Sequence, residues 1–77
     1  MELEKNLIGK VKFFHTKKGW GFIRTEDGKD YFVHYSQIKA DGFKNLNRDD
    51  EVEFDIIEGD KGIMAGNVKV IKEAVVQ

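Results

Sequence analysis

Two short segments, Lys18-Gly19-Trp20-Gly21-Phe22-Ile23 and Tyr31-Phe32-Val33-His34-Tyr35, decide the fold of this chain. Successive side chains of a β-strand point to opposite faces, so Trp20 and Phe22 share one face while Ile23 lies on the other. Phe32 and His34 repeat the pattern around Val33. The spacing predicts two strands that carry rings on one face and aliphatic side chains on the other.

Outward from these segments, the chain predicts five short strands and no helix. Asp27-Gly28 supplies the positive-φ position of a tight turn, so the second and third strands should form an antiparallel hairpin. The first six and last six residues carry no clear pattern and are expected to fray. The predicted strands run from about Ile8 to His15, Gly19 to Thr25, Asp30 to Tyr35, Glu51 to Ile56 and Met64 to Ile71.

Five strands without a covering helix need closure, because one face of an open flat sheet would have nothing to pack against. The predicted fold is therefore all-β, a five-stranded antiparallel barrel of one domain spanning residues 1–77, with its core at about 7–71. The expected interior residues are Gly21, Ile23, Val33, Val52, Phe54, Ile56, Val68 and Val70.

Charge is divided unevenly along the 77 residues. The formal net charge is −1, yet residues 1–39 hold eight Lys/Arg and five Asp/Glu, whereas residues 40–77 hold five and nine. Between Lys10 and Arg24 there are five basic residues and no acidic one. The basic stretch coincides with the first ring segment, so the local field can attract phosphate although the whole molecule is slightly acidic.

Composition excludes several classes of function. The chain has no cysteine, which removes disulfides, thiolate metal sites and thiol nucleophiles. Two histidines do not favour a metal site, and no cofactor or small-molecule substrate is expected. No apolar run exceeds three residues, so no membrane span is expected. The acidic N-terminus lacks an apolar signal region, which favours a cytoplasmic protein.

The outward-facing rings have two interpretations. Aromatic residues on strands are more often part of a core. Here Ile23 and Val33 already fill the core side of the same strands, and nothing is predicted to cover the ring side. An exposed aromatic cluster of this size marks a binding surface, and stacking on a ring contributes about 1–3 kcal/mol per base. The pattern therefore favours a single-stranded nucleic acid as the ligand.

The order and spacing of five motifs resemble the cold-shock domain family. The similarity runs without a gap from about Leu7 to Val70 and implies an OB-type barrel that binds single-stranded RNA and DNA. The motifs are Gly9-Lys10-Val11-Lys12-Phe13-Phe14, Lys18-Gly19-Trp20-Gly21-Phe22-Ile23, Tyr31-Phe32-Val33-His34-Tyr35, Gly42-Phe43-Lys44 and Glu58-Gly59-Asp60-Lys61-Gly62. By position, the implied binding residues are Lys12, Phe13, Lys18, Trp20, Phe22, Phe32, His34, Tyr35, Phe43 and Lys61.

Some positions depart from the family or from strict alternation. The family usually has Trp in the first strand and Phe in the second, whereas this chain has Phe13 in the first strand and Trp20 in the second. Alternation alone does not place Phe13 or Phe43 on the ring face. With Phe13 placed there by the resemblance, its neighbour Phe14 should face the other way, partly into the core, and make a weaker contact. His15 stands where the family commonly has Asn and is assigned no role in catalysis or metal binding. Lys12 and Lys18 should meet phosphates, Lys10 and Lys17 are interpreted as solvated charges, Lys61 stands where Arg is frequent, and Ile63-Met64 replaces a common Pro-Gln pair.

The leading hypothesis is a cytoplasmic RNA chaperone that traps unpaired segments without nucleotide hydrolysis, since no phosphate-binding Gly-rich loop is present. A barrel that binds a protein through the same ring face is the alternative. An enzyme is least favoured, because Asp49, Asp50 and Glu51 resemble a solvated turn and strand rim. A monomer is expected, with a domain-swapped dimer left open.

Overall fold

Five strands pair in one antiparallel sheet, in the order β3-β2-β1-β4-β5. The structure is a computed structural model that describes residues 2–39, 46–59 and 62–73, with side chains from residue 4. A 3-10 helix at Tyr35–Gln37 follows β3, and the described ranges contain no α-helix. The all-β, five-stranded antiparallel class predicted from the sequence is confirmed. The strands are β1 Glu2–His15, β2 Trp20–Thr25, β3 Asp30–His34, β4 Glu51–Gly59 and β5 Gly62–Lys72.

The sheet curls until its two edge strands, β3 and β5, contact each other. The segment after the 3-10 helix completes this approach, because Ile38 forms a parallel bridge with Val68. The backbone N–H of Lys39 also donates a 2.7 Å hydrogen bond to the Val68 carbonyl. The inner face of the sheet thus surrounds a single hydrophobic core.

The core contains most of the residues predicted for it. Gly21 is buried, and Val70 is half-buried against the cluster rather than enclosed by it. Four further residues, Val11, Ile38, Leu46 and Ala65, belong to the cluster although the strand pattern did not indicate them. The buried cluster consists of Val11, Ile23, Val33, Ile38, Leu46, Val52, Phe54, Ile56, Ala65 and Val68.

The first strand begins earlier than the sequence predicts. β1 starts at Glu2, which pairs with Ile57 of β4, so residues 2–7 lie in a strand that was predicted to begin only at about Ile8. Asn6 adopts φ 59°, a left-handed conformation that interrupts the alternation, and the pairing register shifts between Glu4 and Leu7. A strand broken in this way loses the period of two by which it would have been recognised.

Asp55 on β4 supports the irregularities of both neighbouring strands. Its carboxylate accepts hydrogen bonds from the backbone N–H of Asn6 at 3.0 Å and from Nδ2 of Asn67 at 2.8 Å. Asn67 on β5 also has a positive φ, 50°, beside a register shift between Glu53 and Asp55. The bonds from Asn6 and then Asn67 lower the pKa of the Asp55 carboxyl. One carboxylate therefore stabilises two kinks that no local pattern specifies.

Candidate nucleic-acid interface

A β-bulge at Lys12 determines which side chains of β1 face outward. Val11 pairs with Ile23, but the next pair of the ladder joins Phe13 to Phe22, so Lys12 is an extra residue. Val11 is fully buried, whereas Lys12 is exposed and Phe13 is 39% exposed. Such a bulge lets two consecutive side chains avoid the core. This explains why alternation could not place Phe13 on the ring face.

The turn before β4 packs against this bulge. The backbone N–H of Val11 donates to the Asp50 carbonyl at 2.9 Å, and the N–H of Asp49 donates to the Val11 carbonyl at 2.8 Å. Asp50 is buried, and its Oδ2 accepts a 3.0 Å hydrogen bond from the Asn47 backbone N–H. Backbone groups from a distant segment therefore satisfy the interrupted ladder of β1.

The outward face of β1, β2 and β3 is organised in three rows across the strands, set by their pairing registers. Two rows carry rings, and we call their six members the ring surface. The third row is charged. The rows are His15–Trp20–His34, Phe13–Phe22–Phe32 and Lys10–Arg24–Asp30.

The phenylalanines and the tryptophan of the ring surface support one another. The ring centroid of Phe13 lies 5.6 Å from that of Trp20 and 5.5 Å from that of Phe22. Phe32 lies 6.2 Å from Trp20 and 6.0 Å from Phe22. These distances are typical of edge-on and offset aromatic pairs. Mutual packing leaves Trp20, Phe22 and Phe32 half-buried at the surface, while the alternate residues beneath them are fully buried.

His15 belongs to this surface, although it was not among the binding residues predicted from the sequence. Its ring stacks near Trp20, with centroids 6.2 Å apart and planes inclined by 27°. His15 follows Phe13 by two residues and pairs with Trp20 across the β1–β2 ladder. Once Phe13 is known to face outward, alternation indicates the same for His15, so this signal was present in the sequence.

His34 and Tyr35 lie where β3 ends, with ring centroids 4.5 Å apart. Tyr35 was predicted within the third strand, but it begins the 3-10 helix instead. The His34 side chain caps that helix, since Nδ1 accepts a 3.2 Å hydrogen bond from the Ser36 backbone N–H. A neutral imidazole that accepts at Nδ1 carries its proton on Nε2. His34 can therefore donate to a ligand through Nε2.

Tyr35 is also held close to the turn that joins β1 and β2. Its backbone N–H donates to the Gly19 carbonyl at 2.8 Å. A Cβ on Gly19 would approach Tyr35 Cδ1 to 2.6 Å, and Gly19 has φ 76°, so this position favours glycine for two reasons. Tyr35 as a whole remains 46% exposed beside His34. Lys18, in the same turn, is exposed.

Lys12 does not present an unpaired charge, because Asp30 lies beside it. Lys12 Nζ is 3.3 Å from Asp30 Oδ2, while Arg24 donates from Nε to Oδ1 at 2.8 Å and from Nη2 to Oδ2 at 3.2 Å. The hydrogen bond from Arg24 is the main cause that lowers the pKa of the Asp30 carboxyl, and Lys12 adds to it. The border of the ring surface thus includes an ion triad that the sequence interpretation missed.

The remaining sequence predictions for the site have mixed outcomes. Phe14 is half-buried against the core, as alternation predicted. Phe43 and Lys61 lie outside the described residues.

Within the ranges 4–39, 46–59 and 62–73, no three His, Asp or Glu side chains are grouped so that they could hold a metal ion. No helix among the described residues is long and apolar enough to cross a bilayer.

Comparison with known proteins assigns the family. The model of the family described as 'Cold-shock' DNA-binding domain matches residues 7–71. This chain belongs to the cold-shock domain family. Cold shock-like protein CspC of Bacillus cereus is 53% identical to this cold-shock domain over 60 residues, which are 78% of this chain and 92% of that protein. A cold shock-like protein of Thermotoga maritima is 53% identical over 64 residues, covering 83% of this chain and 97% of the relative.

The fold of this cold-shock domain also has a counterpart among solved structures. The drosophila Unr CSD456 structure superimposes with a TM-score of 0.73 at 27% sequence identity. The superposition covers 96% of this chain but only 30% of the Unr chain. The similarity therefore concerns the five-stranded unit and not the larger protein.

Proposed function

We propose that this cold-shock domain binds single-stranded RNA and DNA by stacking unpaired bases on the ring surface. The observation that carries this proposal is that β2 and β3 present aliphatic side chains on one face and aromatic side chains on the other. Ile23 and Val33 fill the core, while Trp20, Phe22 and Phe32 form a contiguous, half-buried layer that reaches the surface on the opposite face. Every base has a π-face, so such a layer binds single strands with little regard to sequence.

Polar groups at the border of the ring surface suit the rest of a nucleotide. Lys12 and Lys18 would contact backbone phosphates as compact point charges. His34 would donate from Nε2 to a base, and Tyr35 would stack beside it. Phe43 and Lys61 are proposed as binding residues on the family resemblance alone. Duplexes should bind weakly, because their bases are already stacked on each other.

Binding of this kind gives the activity of an RNA chaperone. Each domain would hold about 4–16 unpaired nucleotides, the range of an OB barrel, and so shift hairpins toward their open form. The free energy comes from stacking and counterion release, and no hydrolysis is needed. We propose a monomer that acts in the cytoplasm.

A fluorescence titration of Trp20, the single tryptophan of the chain, tests the proposal. A short oligothymidylate added at low salt should quench the emission. If about four cations contact phosphates, log affinity should fall against log salt with a slope near −3, since each charge contributes about −0.7. Unchanged emission up to high micromolar oligonucleotide would overturn the proposal and leave a protein-binding role for the ring surface.

Phe32→Ala separates a binding role from a core role. We expect it to weaken the oligonucleotide affinity by about 1–3 kcal/mol, one stacked base, while circular dichroism still shows a folded sheet. Ile71→Ala is the matched control, because Ile71 is an exposed apolar residue of β5 outside the ring surface. Equal affinities of the two variants would contradict stacking on Phe32.

A further inference from the structure

The face that carries the ring surface continues into the charged row Lys10–Arg24–Asp30. Arg24 follows Phe22 by two residues on β2, and Asp30 precedes Phe32 by two on β3. Two residues of a strand advance about 7 Å. A nucleic-acid strand that leaves the phenylalanine row in this direction therefore meets the charged row at its next step.

A groove of about 770 Å³ lies at this edge of the ring surface. Four of its lining residues are cationic: Lys10, Lys12, Arg24 and Arg48. Arg48 comes from the Asn47–Asp50 turn, whose hydrogen bonds to the Val11 backbone hold it beside the bulge. Cations from three separate segments are thereby brought to one concave surface.

The cations of the groove differ in how far they are already engaged. Arg24 uses only Nε and Nη2 toward Asp30, so three of its five N–H donors remain, in an orientation that Asp30 helps to define. Neither Lys10 nor Arg48 forms an ion pair within the ranges 2–39, 46–59 and 62–73. Lys10 was interpreted from the sequence as a solvated charge. Its place in the charged row would instead let it contact a phosphate of a bound strand.

Among its described lining residues the groove also has three carboxylates, Glu26, Asp49 and Glu51. Asp30 is bonded to two of the four cations, Lys12 and Arg24, so the described part of the groove carries little net charge. A small net charge does not concentrate anions over a long range. It suits a phosphate that is already delivered by a bound strand and needs only local donors. None of the described residues that line the groove is aromatic, so they offer no platform for a base.

We propose that this groove is a phosphate subsite for the strand that extends beyond the ring surface, with Arg48 and Lys10 as the main donors and Arg24 as a pre-oriented third. The proposal rests on the proposed function, since the strand must first be held by its stacked bases. It adds phosphate contacts to those of Lys12 and Lys18. The ligand is the sugar–phosphate backbone of single-stranded RNA or DNA, read without regard to base identity.

A length series of oligothymidylates from about 4 to about 10 nucleotides tests the subsite, with Trp20 quenching as the readout. Wild-type affinity should continue to rise after the ring surface is filled. Arg48→Gln and Lys10→Gln should flatten this rise, and each should make the salt slope for the longest oligonucleotide less steep by about 0.7. At 0.1 M salt this corresponds to about a fivefold loss of affinity for each variant.

Two controls make the outcome specific. Lys69→Gln removes an exposed lysine of β5 outside the groove and should leave the length dependence unchanged. An oligonucleotide whose extension is abasic should retain the gain in affinity, because the groove contacts the backbone. A gain that requires bases, or a slope unaltered in both Arg48→Gln and Lys10→Gln, would overturn the proposal.

Failure of this proposal can be distinguished from failure of the proposed function. Quenching by the shortest oligonucleotide depends on the ring surface alone and should be the same in wild type and groove variants. If that quenching persists while the variants show no effect at any length, the subsite is refuted and the function stands. If wild type shows no quenching at any length, the proposed function fails and the subsite fails with it.

Discussion

Replacing Asp30 by Asn should tighten the binding of single-stranded nucleic acid. The substitution removes a negative charge beside the ring surface and frees Lys12 Nζ, which lies 3.3 Å from the carboxylate. In the wild type this carboxylate competes with phosphate for Lys12, so its removal adds at most about 0.7 to the salt slope. At 0.1 M salt the largest factor is 10 raised to about 0.7, so the affinity should rise by at most about fivefold as the slope becomes steeper.

Oligothymidylate titrations at several salt concentrations measure both quantities. Glu73→Gln is the matched control, since it removes the same charge from an exposed position after β5. Adding Lys12→Gln to Asp30→Asn should remove the part of the gain that comes from Lys12 and leave only the part that comes from Arg24, the other cation bonded to Asp30. If Asp30→Asn binds no more tightly than Glu73→Gln, Asp30 does not restrain Lys12, and the inferred competition between carboxylate and phosphate is refuted.

Three further substitutions test other parts of the structure. Gly21→Ala should cost about 1–3 kcal/mol or more in the free energy of unfolding, because its Cβ would meet the backbone of β1 at Phe14 Cα, 2.7 Å away; a melting temperature within a few degrees of wild type would contradict this. Asp55→Asn should destabilise the fold at pH 7 by about 1–2 kcal/mol, measured by urea unfolding. Since folding lowers the pKa of Asp55, its contribution is present above the unfolded pKa of about 3.9 and is lost as pH falls below it, so wild type and variant should converge in acid. His15→Ala should weaken oligonucleotide binding by about 1 kcal/mol, because it removes a ring on which a base stacks. An unchanged affinity would show that bases stack only on the other rings of the ring surface.

The strands and the centre of the candidate site could be predicted because they depend on the alternation of side chains between the two faces of a regular strand. Trp20, Phe22 and Phe32 alternate with buried residues on regular strands, so period-two reasoning placed them on one face, and the structure agrees. Phe13 could be placed only from the family resemblance, because the extra residue at Lys12 reverses the alternation of side chains along β1. That these residues bind nucleic acid stays a prediction.

Other features could not be predicted because they depend on contacts between distant parts of the chain. Lys12 and Asp30 are 18 residues apart, and only the register of three strands brings them together. The early start of β1 is hidden by Asn6, whose backbone N–H bonds to Asp55, 49 residues later. The local sequence pattern specifies which side chains of a regular strand are buried. The ion triad and the kinks depend instead on contacts between distant residues.

The extra residue at Lys12 has a consequence for how this strand can change over evolution. Side chains before and after it follow two different alternation frames, and the bulge absorbs the difference of one residue between them. Deleting Lys12 would remove the bulge and leave regular alternation, with Val11 inward, Phe13 outward and Phe14 inward, so both faces of β1 would keep their side chains. A related sequence without this residue would open an alignment gap here and still keep the positions that describe binding apart from those that describe packing.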